Sequence, residues 1–194
     1  MGGADKGLQV FQGRLLVENA VDRLRRQTAG APGLIAINAN RNQQRYAALG
    51  APVWSDPVPD FAGPLAGFLC AMLQSPPRHD HVLCVPCDTP RFPLDLLARL
   101  GQALAAEDAD VAMALGPDVQ ADGSVVLRPQ PVFCLMRSNL ADNLRDFLAG
   151  GGRKVGAWTA GLRQTRVAFD APGDDVRAFA NANTLEELHD LENP

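Results

Sequence analysis

The sequence predicts an α/β fold, in which a mostly parallel sheet is covered by helices on both faces and the whole of residues 1–194 forms one domain. Three observations carry this reading. Short apolar runs of strand length alternate with stretches whose apolar residues recur at helical spacing. At 194 residues the chain fits one domain and can bury a continuous core without disulfide or metal staples. Apolar types make up 46% and charged types 21%, so burial can offset chain entropy, which excludes a disordered tail protein and a fibre.

Taken in order, Leu15, Leu16, Ala20, Val21 and Leu24 recur at helical spacing, and Arg23, Arg25 and Arg26 suit a helix C-terminus. Gly30 to Gly33 break that helix, and Leu34-Ile35-Ala36-Ile37 is a buried-strand run ending at Asn38. Val53-Trp54 is a shorter strand candidate. A Pro- and Asp-rich loop then reaches Gly63-Pro64, and Pro64 is placed to start a helix over Leu65 to Leu73. Val82 to Val85 reads as another buried strand, Pro93 to Ala106 as a helix, and Val111 to Leu115 as a strand. The rhythm then changes. Val125 to Leu127 and Val132 to Leu135 are separated only by a polar turn containing Pro129, which predicts strands without a crossover helix between them. Ser138 is expected to cap a helix reaching Leu148, ended by Gly150-Gly151-Gly152, and Val167 to Phe169 forms a late strand. Thr184 with Glu187 is a capping box for a terminal helix.

Charge and cysteine content narrow the partners. Lys plus Arg is 18 against 22 Asp plus Glu, a net charge of −4, which gives no footprint for nucleic acid. No apolar run approaches the ~18–20 residues of a membrane span, and no secretory segment is recognisable, so a reducing cytoplasm is expected. Cys84-Val-Pro-Cys87 has a C-x-x-C spacing, but zinc would need a second ligand pair and none exists at usable spacing. Buried packing is the expected role of these cysteines, with a thiol redox module as the competing reading. His79 and His81 flank Asp80 in a loop and are expected to be exposed polar residues, while Trp54 and Trp158 are expected in the core or a cleft wall.

Ligands in doubly wound sheets bind beyond the carboxyl ends of strands. Asn38, Asp56 and Asp88 each follow a strand candidate and so fall where a site belongs. The opening Met1-Gly2-Gly3-Ala4-Asp5-Lys6-Gly7 combines permissive glycines, a carboxylate and a lysine, as a phosphate-wrapping loop would; a disordered terminus with a solvated lysine would look the same. In Pro86-Cys87-Asp88-Thr89-Pro90 a carboxylate fixed between two prolines can hold a hard cation, or can cap the helix beginning near Pro93. Gly63 and Gly67 either let a ligand approach the backbone or pack a proline-started helix.

Taken together, Met1 to Leu8, Asn38-Ala39-Asn40-Arg41, Asp56, Gly63-Pro64-Leu65-Ala66-Gly67, Pro86 to Pro90 and Asn181-Ala182-Asn183-Thr184 resemble the molybdenum cofactor guanylyltransferase (MobA) family of the nucleotidyltransferase superfamily. The motifs fall in the family's order and span nearly the whole chain. The resemblance implies a Rossmann-like three-layer α/β/α sandwich and transfer of GMP from GTP to the terminal phosphate of Mo-molybdopterin, with pyrophosphate released. It implies Mg²⁺ held by Asp88, and Lys6 on the GTP phosphates. Asn38, Asp56, Gly63 and Gly67 fall at nucleotide positions; an acceptor such as Asp56 can read the N1–H and exocyclic amine of guanine. Asn181 and Asn183 fall on the acceptor side, or form a turn into the capped helix. Arg153, beside Lys154 after the glycine run, is a candidate for the pterin phosphate or molybdenum oxo group, or half of an exposed basic pair. Molybdopterin-handling proteins and target molybdoenzymes are the macromolecular partners that the resemblance suggests.

The family's pattern opens with a buried strand and a Leu-Ala-Gly-Gly phosphate loop ahead of the Met-Gly-Gly segment, whereas this sequence starts at Met1. The expectation is that this strand and part of the loop belong upstream, and that without them two central strands are left with unpaired backbone groups. Three other activities remain open on the residues alone: a molybdopterin cytidylyltransferase, a sugar-phosphate nucleotidyltransferase, and a non-catalytic molybdopterin-binding protein.

Overall fold

The computed structural model describes residues 5–57, 63–120, 122–182 and 184–192. A 3-10 turn over Lys6–Leu8 leads into a small antiparallel hairpin, β1 (Val10–Phe11) and β2 (Arg14–Leu15), and then helix α1 (Leu16–Arg25). The Leu15 N–H donates to the Glu18 carboxylate at 2.8 Å, occupying a backbone donor at the helix entrance, and Leu16, Val17, Ala20 and Val21 form the buried stripe. Next come β3 (Ile37–Asn38), the short helix α2 (Gln43–Ala47), β4 (Val53–Trp54) and α3 (Pro64–Gln74), with Pro64 in the first helical turn as expected. The strand expected over Leu34 to Ile37 thus pairs only at its end, where it runs parallel to β4.

The rest of the chain builds the larger sheet. It comprises β5 (His81–Cys84), α4 (Leu96–Ala106), β6 (Val111–Val119), β7 (Val125–Arg137), a 3-10 turn (Ser138–Leu140), α5 (Ala141–Ala149), α6 (Val155–Thr159), β8 (Gln164–Ala168) and α7 (Leu185–Glu192). The strand order is β5-β7-β6-β8. Strands β5 and β6 are both antiparallel to β7, and β8 is parallel to β6, so three of the four strands run the same way and β7 alone is reversed.

Alternation along the central strands makes three layers. On β6, Val111 and Met113 face a core formed with α3, α5 and α6, including Phe68, Leu144 and Trp158. The intervening Ala112 and Ala114 face the opposite core, where Leu96, Leu100 and Leu104 of α4 meet Phe133, Phe169 and Phe179. Strand β7 repeats the pattern, with Cys134 and Met136 on the first face and Phe133 and Leu135 on the second. This is the α/β/α sandwich expected from the sequence.

Several boundaries move for identifiable reasons. The two strands expected on either side of Pro129 are one continuous strand, because Pro129 sits opposite Leu115 where the β6–β7 register shifts, and a proline costs no ladder bond at such an irregularity. Helix α4 begins at Leu96, three residues later than Pro93. Ser138 makes no side-chain cap; its N–H donates to Asp80 O at 2.9 Å and it opens the 3-10 turn that precedes α5. The late strand β8 ends at Ala168, and Thr184 and Glu187 exchange both capping-box bonds, at 3.0 and 3.2 Å.

The strand layer contains a gap. Among the described residues β3 pairs with β4 alone and β5 with β7 alone, so each presents an open edge. Between them lies a cavity of about 640 Å³. Leu34, Ile35 and Ile37 line one side, Val82, Leu83 and Cys84 the other, and α1 and α3 cover it above and below. No helix among the described residues is long and apolar enough to cross a membrane.

Candidate active site

The cavity is lined by Ser75, His79, Asp80 and His81 toward the start of β5, and by Asn38, Tyr46 and Asp88 where strands β3 and β5 finish. Beyond β5 the chain is stiffened by Pro86 and Pro90, and Asp88 between them joins the cavity wall. The Asp88 side chain is mostly buried, and its Oδ2 lies 3.1 Å from Nζ of Lys6, which the first 3-10 turn presents from the far end of the sequence. Asp88 therefore does not cap α4. Among the described residues its Oδ1 accepts no hydrogen bond.

The segment around Asp88 is anchored by the loop before α7. Ala182 N–H donates to Asp88 O at 2.8 Å, and the fully buried Thr89 hydroxyl donates to Asn181 Oδ1 at 2.6 Å. This brings Asn181 to the base of the Lys6–Asp88 pair. Asn183, and Gly2 and Gly3 of the glycine-rich opening, lie outside the described residues.

The opposite wall is built from β3, β4 and α3. Asn38 donates from Nδ2 to Trp54 O at 3.2 Å, which holds its carboxamide across the strand ends. A Cβ on Gly67 would stand 2.9 Å from Asn38 Oδ1, so α3 approaches the carboxamide only because position 67 has no side chain. Gly63, at φ +135°, occupies a backbone conformation that other residues adopt only with strain. Asn38, Gly63, Gly67 and Asp88 all line the one cavity. Asp56 sits behind them, with Oδ2 accepting from Asn40 Nδ2 at 2.6 Å and its N–H donating to Asn40 Oδ1 at 2.8 Å. Its second oxygen, Oδ1, is buried and has no hydrogen-bond partner among the described residues.

Arg153 is placed elsewhere. Its guanidinium donates to Leu148 O at 3.0 Å and Gly152 O at 2.6 Å, closing the C-terminal end of α5, and it does not line the cavity. Cys84 and Cys87 line the cavity wall, but burial pushes both thiols up to about 12, which is the environment of packing residues. His81 and Asp80 are exposed, His79 is half-buried, and Trp158 is buried with its indole N–H on Asn143 Oδ1 at 2.8 Å.

Two contributors escape a reading of the sequence. Tyr46, on α2, donates its hydroxyl to Asp5 Oδ1, and Asn42 donates from Nδ2 to Asp5 Oδ2 at 3.0 Å. Helix α2 is five residues long, too short for periodicity to register, and the only local signal is the polar run Asn38 to Gln44 ahead of the chain's single tyrosine.

Residues 1–166 match the family described as the MobA-like NTP transferase domain. The chain belongs to that family. A molybdenum cofactor guanylyltransferase from Albidiferax ferrireducens is 55% identical over all of this chain and 90% of its own length. Another, from Bordetella pertussis, is 48% identical over 99% of this chain and 90% of its own. Molybdopterin-guanine dinucleotide biosynthesis protein A from Archaeoglobus fulgidus superposes with a TM-score of 0.73 at 17% identity, covering 98% of this chain and 90% of that one. 4-Diphosphocytidyl-2C-methyl-D-erythritol synthase from Anaerococcus prevotii gives 0.73 at 12% identity, covering 97% and 91%. These two structures show that the MobA-like chain has the nucleotidyltransferase fold.

The donor set of this MobA-like site fits a divalent cation that is shared with substrate. Magnesium is bound by one or two carboxylates together with substrate phosphates rather than by an all-protein cage. Asp88 offers one carboxylate with an uncommitted oxygen at the cavity wall, whereas both oxygens of nearby Asp5 are taken by Tyr46 and Asn42. Among the described residues there is no cluster of three or more His, Cys, Asp or Glu that could hold an ion alone.

Proposed function

We propose that this protein transfers GMP from GTP to the terminal phosphate of Mo-molybdopterin, forming the guanine dinucleotide cofactor and releasing pyrophosphate. The observation that carries the reading is the Lys6–Asp88 pair, 3.1 Å apart at the strand-end rim of the cavity. A phosphate monoester attacking the α-phosphorus of GTP brings two anions together, so catalysis consists of in-line positioning and charge neutralisation. Lys6 supplies an ammonium for the GTP phosphates. Asp88 would hold Mg²⁺, which when bound would offset charge on the phosphates. The rigid Pro86 to Pro90 segment keeps that carboxylate in place, so little reorganisation accompanies reaction.

The nucleoside lies against Asn38, Gly63 and Gly67: Gly63 leaves open space for a flat base, and Gly67 lets α3 close on the Asn38 carboxamide. Asp56 reads guanine: its buried Oδ1, without a partner among the described residues, suits an N–H donor, and leaving it unpaired disfavours a base lacking that donor. Asn181, tied to Thr89, and Asn183 belong to the acceptor side. The four cysteines are all free thiols, in keeping with a cytoplasmic enzyme that passes its product to molybdoenzymes.

We further infer that residues 1–194 form one nucleotidyltransferase domain whose first strand belongs in the slot between β3 and β5. Lys6 stands beside Asp88 at the carboxyl end of β5, so a strand leading into residue 5 would leave the slot there and run parallel to β5.

The test is turnover with Mo-molybdopterin and Mg²⁺, comparing GTP with CTP and following pyrophosphate. Preference for GTP, abolished by Asp88→Asn, is expected. Preference for CTP would overturn the base assignment, and turnover unaffected by Asp88→Asn would overturn the site.

A further inference from the structure

The 3-10 turn that carries Lys6 is gripped from one side by α2, whose Tyr46 also lines the cavity. Tyr46 and Asn42, at the two ends of one helical turn, hold the two carboxylate oxygens of Asp5 separately. Asn42 reaches Asp5 because its backbone is in the left-handed region, at φ 51°, which turns its side chain back toward the start of the chain. The Asp5 carbonyl in turn accepts from Leu8 N–H at 3.2 Å and from Gln9 Nε2 at 3.3 Å, so the same residue whose carboxylate is clamped also closes the turn.

The fit is tight as well as bonded. A Cβ at Gly7 would lie 2.6 Å from Tyr46 Oη and 3.3 Å from Cys87 Sγ, so the turn is wedged between α2 and the Asp88 segment with no room for any side chain but hydrogen. The Tyr46 ring is anchored in a small core with Leu8, Val17, Val21 and Ile37, which makes α2 a fixed support. Lys6 is thus bracketed by Asp5, held on α2, and by Gly7, packed against Tyr46 and Cys87.

We propose that Tyr46 and Asn42 are positioning residues that act through Asp5 to hold the Lys6 ammonium over Asp88 for the phosphates of GTP. Asp5 is a structural clamp point in this arrangement and not a second metal carboxylate. The inference rests on the proposed role of Lys6, and its test separates the two.

The experiment measures binding of GTP and of guanosine by calorimetry, and KM and kcat for GTP, in the wild type, Tyr46→Phe, Lys6→Ala and the double variant. Tyr46→Phe keeps the buried ring and removes only the hydroxyl. It is expected to weaken GTP binding and raise its KM about tenfold, the scale of one lost hydrogen bond to a charged group, while guanosine binding holds. In the double variant the loss should be little more than that of Lys6→Ala alone, because Tyr46 acts through the lysine. Equal weakening of guanosine and GTP, additive losses, or no effect of Tyr46→Phe alongside a clear effect of Lys6→Ala would overturn the clamp. If Lys6→Ala itself leaves GTP binding unchanged, it is the underlying role of Lys6 that fails. Asn42→Ala is read in the same way should Tyr46→Phe fold poorly.

Discussion

Lys6 Nζ and Asp88 Oδ2 meet at 3.1 Å although 82 positions separate them in the sequence. The lysine side chain is 41% exposed and the carboxylate 19%, so the pair adds little to stability. Its position does more than its energy: it places one cation and one carboxylate at the rim of the cavity, beyond the carboxyl end of β5.

Asp88→Asn should therefore separate activity from folding. Turnover of GTP is expected to fall by ~10²-fold or more, the scale of losing one charge stabiliser in the transition state. The thermal midpoint should stay within a few degrees, since the substitution removes one ion pair whose lysine is 41% exposed. Pyrophosphate release and a circular dichroism melt on the same preparation check both halves.

The part of this site that is legible in the sequence is its local part. Asn38, Asp56 and Asp88 can be placed because each follows an apolar run short enough to be a strand, and strand ends are where such sheets bind ligands. Helices α1 and α4 are legible because their apolar residues recur at helical spacing over ten or eleven positions, and α3 because Pro64 marks its first turn. What stays hidden depends on distant partners. Pro129 reads as a turn because nothing local shows that it meets a register shift against Leu115. Arg153 reads as available to a substrate phosphate, yet its guanidinium donates to one carbonyl of α5, Leu148 O, and to the neighbouring Gly152 O. Tyr46 gives no signal because its bond to Asp5 spans 41 positions.

Asp56→Asn tests base selection. An amide presents a donor where the carboxylate oxygen now waits for one, so the guanine N–H groups would lose their acceptor. Selectivity for GTP over ATP in kcat/KM is expected to fall about tenfold, the scale of one lost hydrogen bond to a charged group. An unchanged ratio would remove Asp56 from the base pocket.

The thiols give a pH prediction. Burial raises Cys84 and Cys87 from a usual value near 9 to about 12, so the folded protein keeps these protons where the unfolded chain has released them. Their contribution to stability is fully present below pH 9 and is lost progressively as pH rises from 9 toward 12. Alkylation by iodoacetamide at pH 8 should accordingly be slow in the native protein and fast in denaturant. Rapid native alkylation of either residue would instead favour redox chemistry at the C-x-x-C pair.

The slot between β3 and β5 makes the most demanding prediction. Ile37 N–H donates to Pro52 O and Ala39 N–H to Trp54 O, both at 2.8 Å, so by the two-residue alternation of a strand the N–H groups of Ala36 and Asn38 point the other way, into the slot. No described residue accepts from them. An inserted strand would supply acceptors to both groups. Extending the chain at its amino end by an apolar strand of five or so residues and a glycine-rich turn should therefore slow hydrogen exchange at Ala36 and Asn38 and raise the thermal midpoint. It should also tighten GTP binding, because the added turn would arrive beside Lys6 with backbone N–H groups suited to phosphate. Unchanged exchange at those two amides in the extended protein would show that the slot takes no strand, and the cavity would then have to be read as ligand space along its whole length.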